Sequence, residues 1–374
     1  MKARRDRATA ILPPALSGRE RYERFVRADV ERGRAMAAEQ ALSAAEVARV
    51  ILKDVDRRRG ETGTWSIEPR PVRGRDSWVF KAYTPRAPWP LAVKVHCAAV
   101  TPEDVAAKGD HLRAYHERMA GSPEFTIPAF WACLPRHRTL VMQWIEVPRM
   151  DDLLARAGAD ERARLFAAAG AWLRQYHAQS EANVRPLRLR SYARHIDMLL
   201  GGEEGAGRQV RDGLFRSAYE TLVEQTETFA RSRVAHVMVH GDFVPHNVFH
   251  GGGRTVGFDM VPSMRPALHD IWHFLVHAEV TKPLLARAKL GATGIARQDV
   301  RAFLEAYGTP EHLGSEAAAA YIQLNEVLLR WAVVIAHLRR GGRRRPEHLI
   351  SWMRYRRMAN GAAEALRQGR DPLS

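Results

Sequence analysis

An aspartate, an asparagine and a second aspartate stand in order near the middle of this 374-residue chain. The run is His240-Gly241-Asp242-Phe243-Val244-Pro245-His246-Asn247, with Phe258-Asp259 one short hairpin further on. Transfer of a phosphoryl group from a nucleotide needs these groups. One carboxylate orients or deprotonates the attacking hydroxyl, while an amide oxygen and a second carboxylate suit the hard cation that bridges the phosphates. Asp242 is therefore the candidate catalytic base, and Asn247 and Asp259 are candidate holders of one or two Mg2+ ions. His240 would brace the loop through buried hydrogen bonds, and Gly241 would let the backbone turn tightly. A histidine-rich loop with a capping aspartate explains any one of these residues. The spacing, the flanking strands and the second aspartate together favour the chemistry.

The elements around the motif have readable patterns. Strand-like runs cover 65–67, 77–83 and 91–95, with Pro85, Pro88 and Pro90 marking the turn before the last. A helix is expected over 101–119, opened by Thr101-Pro102-Glu103-Asp104, followed by strands over 129–134 and 139–145. From 151 the pattern is mainly helical, at 161–177, 191–200, 211–230 and from 270 to the end. Strand-like 237–239, 247–250 and 255–258 interrupt it, the last two joined by Gly251-Gly252-Gly253. Residues 19–59 also read as helical. In Leu91-Ala92-Val93-Lys94-Val95 the period of two puts Ala92 and Lys94 on one face. A small residue two before a lysine fits a nucleotide roof, Ala92 leaving room for the base and Lys94 reaching the phosphates. A lysine on an edge strand facing water is the competing reading.

With these residues the chain resembles the aminoglycoside phosphotransferase and choline kinase group, small-molecule kinases with a protein-kinase-like fold. The resemblance runs from about 74 to 274. It implies an α+β fold of two lobes: a helical extension over 1–60, a small nucleotide-binding lobe with a mainly antiparallel sheet over 61–145, and a large helical lobe over 146–374. It implies ATP or GTP with Mg2+, and a small-molecule hydroxyl as acceptor. Gly74-Arg75-Asp76-Ser77 takes the place of the phosphate-covering loop, with Ser77 near the phosphates; an ordinary hairpin turn is the alternative. Met142 would sit behind the base, and the backbone of Gln143, Trp144 and Ile145 would meet its edge. Asp110 matches the acidic partner of the lysine, with Glu103 and Glu117 as rivals. Asp270 would brace the catalytic loop from the start of the next helix. Arg265 departs from the pattern, standing where relatives often have aspartate. Asp259-Met260-Val261 lacks the glycine of the protein-kinase metal loop, as small-molecule kinases do. The acceptor would lie on large-lobe helices, within 191–230 and after 270, where Trp272, His273, Phe274, His277 and Glu279 could form a wall for a sugar or a quaternary amine.

Bulk properties bound the rest. Charged content of 27% and hydrophobic content of 46% are those of a globular protein. Two cysteines, Cys97 and Cys133, give no paired spacing for a disulfide framework or zinc site and suit a reducing, cytoplasmic compartment. The apolar run at 8–12 is too short for a signal-peptide core, and the stretch 328–338 is too short to span a bilayer and is broken by Arg330. The net charge of +16 is spread along the chain, with a basic and aromatic concentration over 339–357 that could touch anionic lipid. No nucleic-acid module accompanies it, so no specific nucleic acid is expected. The basic balance weighs against a polycationic acceptor. Two other classes fit less: a catalytically silent pseudokinase, which would not need Lys94, Asp242, Asn247 and Asp259 together, and a basic surface protein for nucleic acid or lipid. A protein kinase fits less still, for want of an Ala-Pro-Glu-like activation segment.

Overall fold

The computed structural model describes residues 44–59, 64–68, 71–74, 76–97, 99–187, 190–202, 204–282, 289–291, 294–308, 316–339 and 346–369. The N-terminal part of the expected helix over 19–59, Arg75 of the turn and 340–345 of the basic tail lie outside them. The chain divides into two units, 1–109 with 131–144 and 110–130 with 145–374.

Among the described residues the first unit is a sheet with the helix Ala44–Arg59 packed on it, together with the N-terminal half of the helix Pro102–Met119. Strands β1 (Ser66–Ile67), β2 (Val72–Arg73), β3 (Ser77–Tyr83), β4 (Leu91–His96), β6 (Phe130–Leu134) and β7 (Thr139–Gln143) run in the order β1-β3-β4-β7-β6, with β2 beside β3. Helix α1 (Ala44–Arg59) presents Ala48, Ile51, Leu52 and Val55 at helical spacing, and all four are buried against Phe80, Leu91, Val93 and Val141. Burying each larger side chain contributes roughly 1.5–3 kcal/mol. Trp65 Nε1 donates to Asp56 Oδ2 at 2.9 Å, which ties the helix to the start of the sheet.

The second unit is mainly helical. It holds the C-terminal half of α2 (Pro102–Met119), then α3 (Met150–Leu154), α4 (Ala159–His177), α5 (Arg190–Leu200), α6 (Gly213–Glu224), α7 (Thr226–Phe229), α8 (Leu268–Val280), α9 (Arg297–Tyr307), α10 (Glu316–Arg339) and α11 (Pro346–Gln368). Two small sheets sit among them. One joins β10 (Val248–Gly251), β11 (Arg254–Gly257) and β5 (Phe125–Thr126), with β5 parallel to β11; the other is β12 (Ser263–Pro266), β9 (Arg233–Val239) and β8 (Asn183–Pro186). Strands β5, β8 and β12 have two to four residues, too few to show a period in sequence. The helical stretch expected over 211–230 breaks at Gln225.

The stretch over 328–338 belongs to a longer helix than its sequence suggested. Helix α10 has 24 residues and is apolar enough by length and composition to cross a membrane. Most of it is buried, with Tyr321, Leu324, Val327, Leu328 and Trp331 at 0% exposure, so it is the core helix of this unit. The basic and aromatic residues of α11 largely serve the fold. Trp352 Nε1 donates to Asp212 Oδ2 at 2.9 Å, Arg354 Nη1 to the Val280 carbonyl at 2.7 Å, and Arg357 Nη2 to Glu279 Oε1 at 2.6 Å.

Candidate active site

The loop between β9 and β10 is held from below by one carboxylate. Asp270, in the first turn of α8 and 1% exposed, accepts from His240 N at 2.6 Å and from Gly241 N at 3.0 Å. His177 Nε2, at the end of α4, lies 3.0 Å from the same carboxylate, and its Nδ1 lies 2.9 Å from the Tyr307 hydroxyl. With Nε2–H donating to Asp270, Nδ1 accepts from Tyr307. Burial works to raise the Asp270 carboxyl, but the hydrogen bonds from His177 and the Gly241 N–H hold it below the ordinary carboxylate value.

Glycine is required at 241. Its φ is 81°, and a Cβ there would stand 2.1 Å from the Val261 carbonyl oxygen. This close crossing, reinforced by Val261 N donating to His240 O at 2.7 Å, lays the segment after β11 against the loop. Phe258 N donates to Asn247 O at 3.1 Å, fastening the same segment a second time. Asp259 follows at φ 61°, in the left-handed region that aspartate and asparagine tolerate best among residues with a side chain. Such an outlier is the kind of strain found at functional positions.

Asp242 and Asn247 are in direct contact. Asn247 Nδ2 donates to Asp242 Oδ2 and to the Asp242 carbonyl, each at 2.9 Å. The amide nitrogen is thereby committed, and the amide oxygen, the atom a cation needs, takes no part in that contact. Asp242, Asp259 and Asp270 all act electrostatically on the His240 ring. Burial lowers the His240 pKa while the three carboxylates pull it up. Its Nδ1 accepts weakly from Asp242 N at 3.4 Å; Nε2 makes no hydrogen bond of ordinary geometry, although the Phe258 backbone lies close enough to favour the proton.

Aromatic packing fixes the loop from its apolar side. Phe243 is fully buried, stacked between Trp172 at 5.3 Å and Phe274 at 5.0 Å between ring centroids. Trp172 Nε1 donates to the Thr126 carbonyl of β5 at 2.7 Å, and Gly257 leaves room for its ring, since a Cβ there would stand 2.3 Å from it.

Among the described residues no group of three His, Cys, Asp or Glu side chains is placed to hold a metal. Magnesium asks for less: one or two protein oxygens, with phosphates and water completing the shell. The Asn247 amide oxygen and the Asp259 carboxylate, on segments fastened to each other, fit that demand.

A cavity of about 680 Å³ opens beside the loop, entirely within the second unit. Gly241, Asp270 and His273 line its end nearest the motif. His273 Nε2 lies 3.7 Å from Asp242 Oδ1 and 2.6 Å from Arg330 Nη2. A guanidinium only donates, so the ring accepts from Arg330. Burial, with Arg330 and His277 beside it, keeps His273 neutral, its pKa far below the ordinary value. Of the wall expected from α8, Trp272 and Phe274 are fully buried core residues and Glu279 is paired with Lys282 and Arg357. His273 is the member of that group that lines the cavity, with His269 from the same helix. A helix with apolar side chains on several faces gives no sequence signal for which residue faces a void.

The nucleotide candidates sit in the first unit. Lys94 is 5% exposed on β4, an inner strand between β3 and β7, which excludes an edge lysine facing water. Ala92 and Met142 are cross-strand partners, and both are buried. Trp144 N donates to Pro90 O at 2.8 Å, which removes that donor from the expected edge contacts. Ser77 is buried at the start of β3, and Gly74 N donates to its carbonyl at 2.8 Å, closing a β2–β3 hairpin. Asp110, Glu103 and Glu117 are exposed on α2. Ile145 and Asp110 belong to the second unit.

An antiparallel sheet with its packed helix, followed by a helical unit carrying the His240–Asn247 loop and Asp259, defines the α+β two-lobe fold of the protein-kinase-like proteins. Solved structures agree at the level of fold. The choline kinase LicA from Streptococcus pneumoniae matches at TM-score 0.52 and 13% identity over 85% of this chain and 99% of its own. A choline/ethanolamine kinase family protein from Mesorhizobium loti matches at 0.52 and 15%, over 81% and 93%. Spectinomycin phosphotransferase, in complex with ADP and spectinomycin, matches at 0.50 and 15%, over 82% and 94%. No curated protein matches the chain in sequence. Residues 87–307 match the phosphotransferase enzyme family, APH; the chain belongs to that family and is a small-molecule phosphotransferase.

Proposed function

We propose that the chain transfers the terminal phosphate of ATP or GTP to a hydroxyl of a small molecule such as a sugar, amino alcohol, antibiotic or glycolipid. The Asn247–Asp242 contact carries this reading, in a loop whose backbone Asp270 holds from two N–H groups. Asp242 accepts the hydroxyl proton and aligns the oxygen for attack on the terminal phosphorus, while the nucleoside diphosphate leaves. Asn247 and Asp259 hold Mg2+, which when bound neutralises phosphate charge. Lys94 contributes a cation to the phosphates. Ala92 and Met142 form an apolar surface for the base, and the Gln143 carbonyl and Ile145 N–H meet its edge, since Trp144 N is already bonded. The AMP complex of LicA and the ADP complex of spectinomycin phosphotransferase support a nucleotide substrate for proteins of this fold. The free thiols of Cys97 and Cys133 suit the cytoplasmic location proposed with it.

The test is phosphoryl transfer over a panel of aminoglycosides, choline, hexoses and their phosphates, with Asp242→Asn beside the wild type. The variant loses roughly 10²-fold or more in kcat, as removal of a general base does, and keeps its affinity for Mg–ATP. Wild-type turnover by Asp242→Asn would remove Asp242 from the role.

A further inference from the structure

We infer that the acceptor carries an anionic group, a phosphate monoester or a carboxylate, beside the hydroxyl it offers. The inference rests on the phosphotransfer reading above and concerns the cavity beside the catalytic loop. Among the described residues three arginines line that cavity: Arg185 from β8, Arg265 from β12 and Arg330 from α10. Two carboxylates among the described residues line it as well, and both are engaged. Asp270 accepts from the loop backbone and His177, and Glu326 Oε1 accepts from Arg330 Nε at 2.7 Å. Arg185 and Arg265 are exposed and have no ion-pair partner among the described residues. A ligand entering there meets two guanidinium groups that no carboxylate among the described residues pairs.

Arg265 also acts on the interior of the cavity. Its charge lowers the pKa of His195 after burial, adds to the lowering of His269 against the opposing Glu326 carboxylate, and works against the rise of Tyr192. His269 is held neutral, with a pKa down at about 4, and its Nε2 lies 2.7 Å from the Tyr192 hydroxyl. Asn325, 3% exposed, also lines the cavity, and its Oδ1 has no hydrogen-bond partner. A buried orphan acceptor of this kind calls for a donor, and a ligand hydroxyl supplies one. The wall thus offers oxyanion donors at the strand edges and a hydroxyl acceptor on α10. An acceptor with several ammonium groups would be repelled by the same arginines.

Calorimetric binding to the full chain tests this with matched pairs: glucose and glucose 6-phosphate, glycerol and glycerol 3-phosphate, glucose and gluconate. Kanamycin and choline serve as cationic probes. At least one charged member should bind about tenfold more tightly than its neutral twin, the scale of one charge-assisted contact. The phosphate and carboxylate pairs tell which anion is preferred. Arg185→Gln and Arg265→Gln should each lower that ratio about tenfold, with Mg–ATP affinity read separately as a check on folding. Tighter binding of kanamycin or choline than of every anion overturns the inference. So does a ratio near one in all pairs, or a ratio that survives both substitutions. An anion preference that the arginine variants abolish, in a chain that transfers no phosphate from ATP, would keep the anion site and sink the phosphotransfer reading. Transfer to cationic acceptors alone would do the reverse.

Discussion

Removing the Asp270 carboxylate would strand two backbone N–H groups and the Nε2–H of His177 in a site with almost no access to water. Leaving buried donors unsatisfied costs about 1–3 kcal/mol each before relaxation, so Asp270→Ala should lose about 3 kcal/mol or more in urea unfolding. Its kcat should fall with the loop geometry. A variant as stable as wild type would show that the carboxylate does not organise the loop. The motif residues were legible because they are close in sequence and their spacing has chemical meaning. His177 and Tyr307 were not. They lie 93 positions from Asp270 and 130 from His177 respectively, and a lone histidine ending an amphipathic helix carries no mark of what it will touch. Arg330 was read only as a polar break in an apolar stretch, because its contact with His273 spans 57 positions.

Helix α4 sets the position of several parts at once. Gly170 lets α9 approach, for a Cβ there would stand 2.2 Å from the Phe303 carbonyl, and buried Arg162 meets Asp299 of α9 at 2.6 Å. On another face Trp172 fills the space left by Gly257, two positions before Asp259. Gly257→Ala should therefore push the strand or the ring aside. Overpacking of this kind costs typically about 1–3 kcal/mol, and the displacement should weaken Mg–nucleotide binding more than acceptor binding. Equal loss of both affinities in titration would mean that the change is not local. Long elements such as β3, β4, α2 and α4 followed from period and start signals. The strands β5, β8 and β12 did not, because they exist only through partners far away in sequence.

For the molecule as a whole, buried histidines set the response to acid. His111 and His269 are each held at about 4, against 6.5 for an ordinary histidine, mainly by burial. Between those values the unfolded chain binds protons that the folded chain refuses, so stability must fall as pH drops from about 6.5 toward 4. The Asp270 carboxyl is depressed below 3.8, so its contribution is complete above that value and is lost only in stronger acid. Thermal unfolding should show Tm declining from pH 7 to 5, and His269→Phe should flatten the slope. An unchanged slope in that variant would assign the loss to other groups. The two-lobe class was legible from the order of strands and helices, whereas the cationic cavity was not, since its arginines come from three separate elements.

The units are interlaced in sequence: the chain enters the second unit at 110, leaves it at 131 and returns at 145. The early visit supplies β5, which pairs with β11, and the Thr126 carbonyl that receives the Trp172 indole. A gene fragment starting at 145 would thus encode a large unit missing one of its own strands, and should express as insoluble or loosely packed protein. Recombination at a single crossover cannot graft a foreign nucleotide-binding half onto this chain without also replacing that strand. Any exchange that succeeds must conserve residues 110–130 with their distant partner.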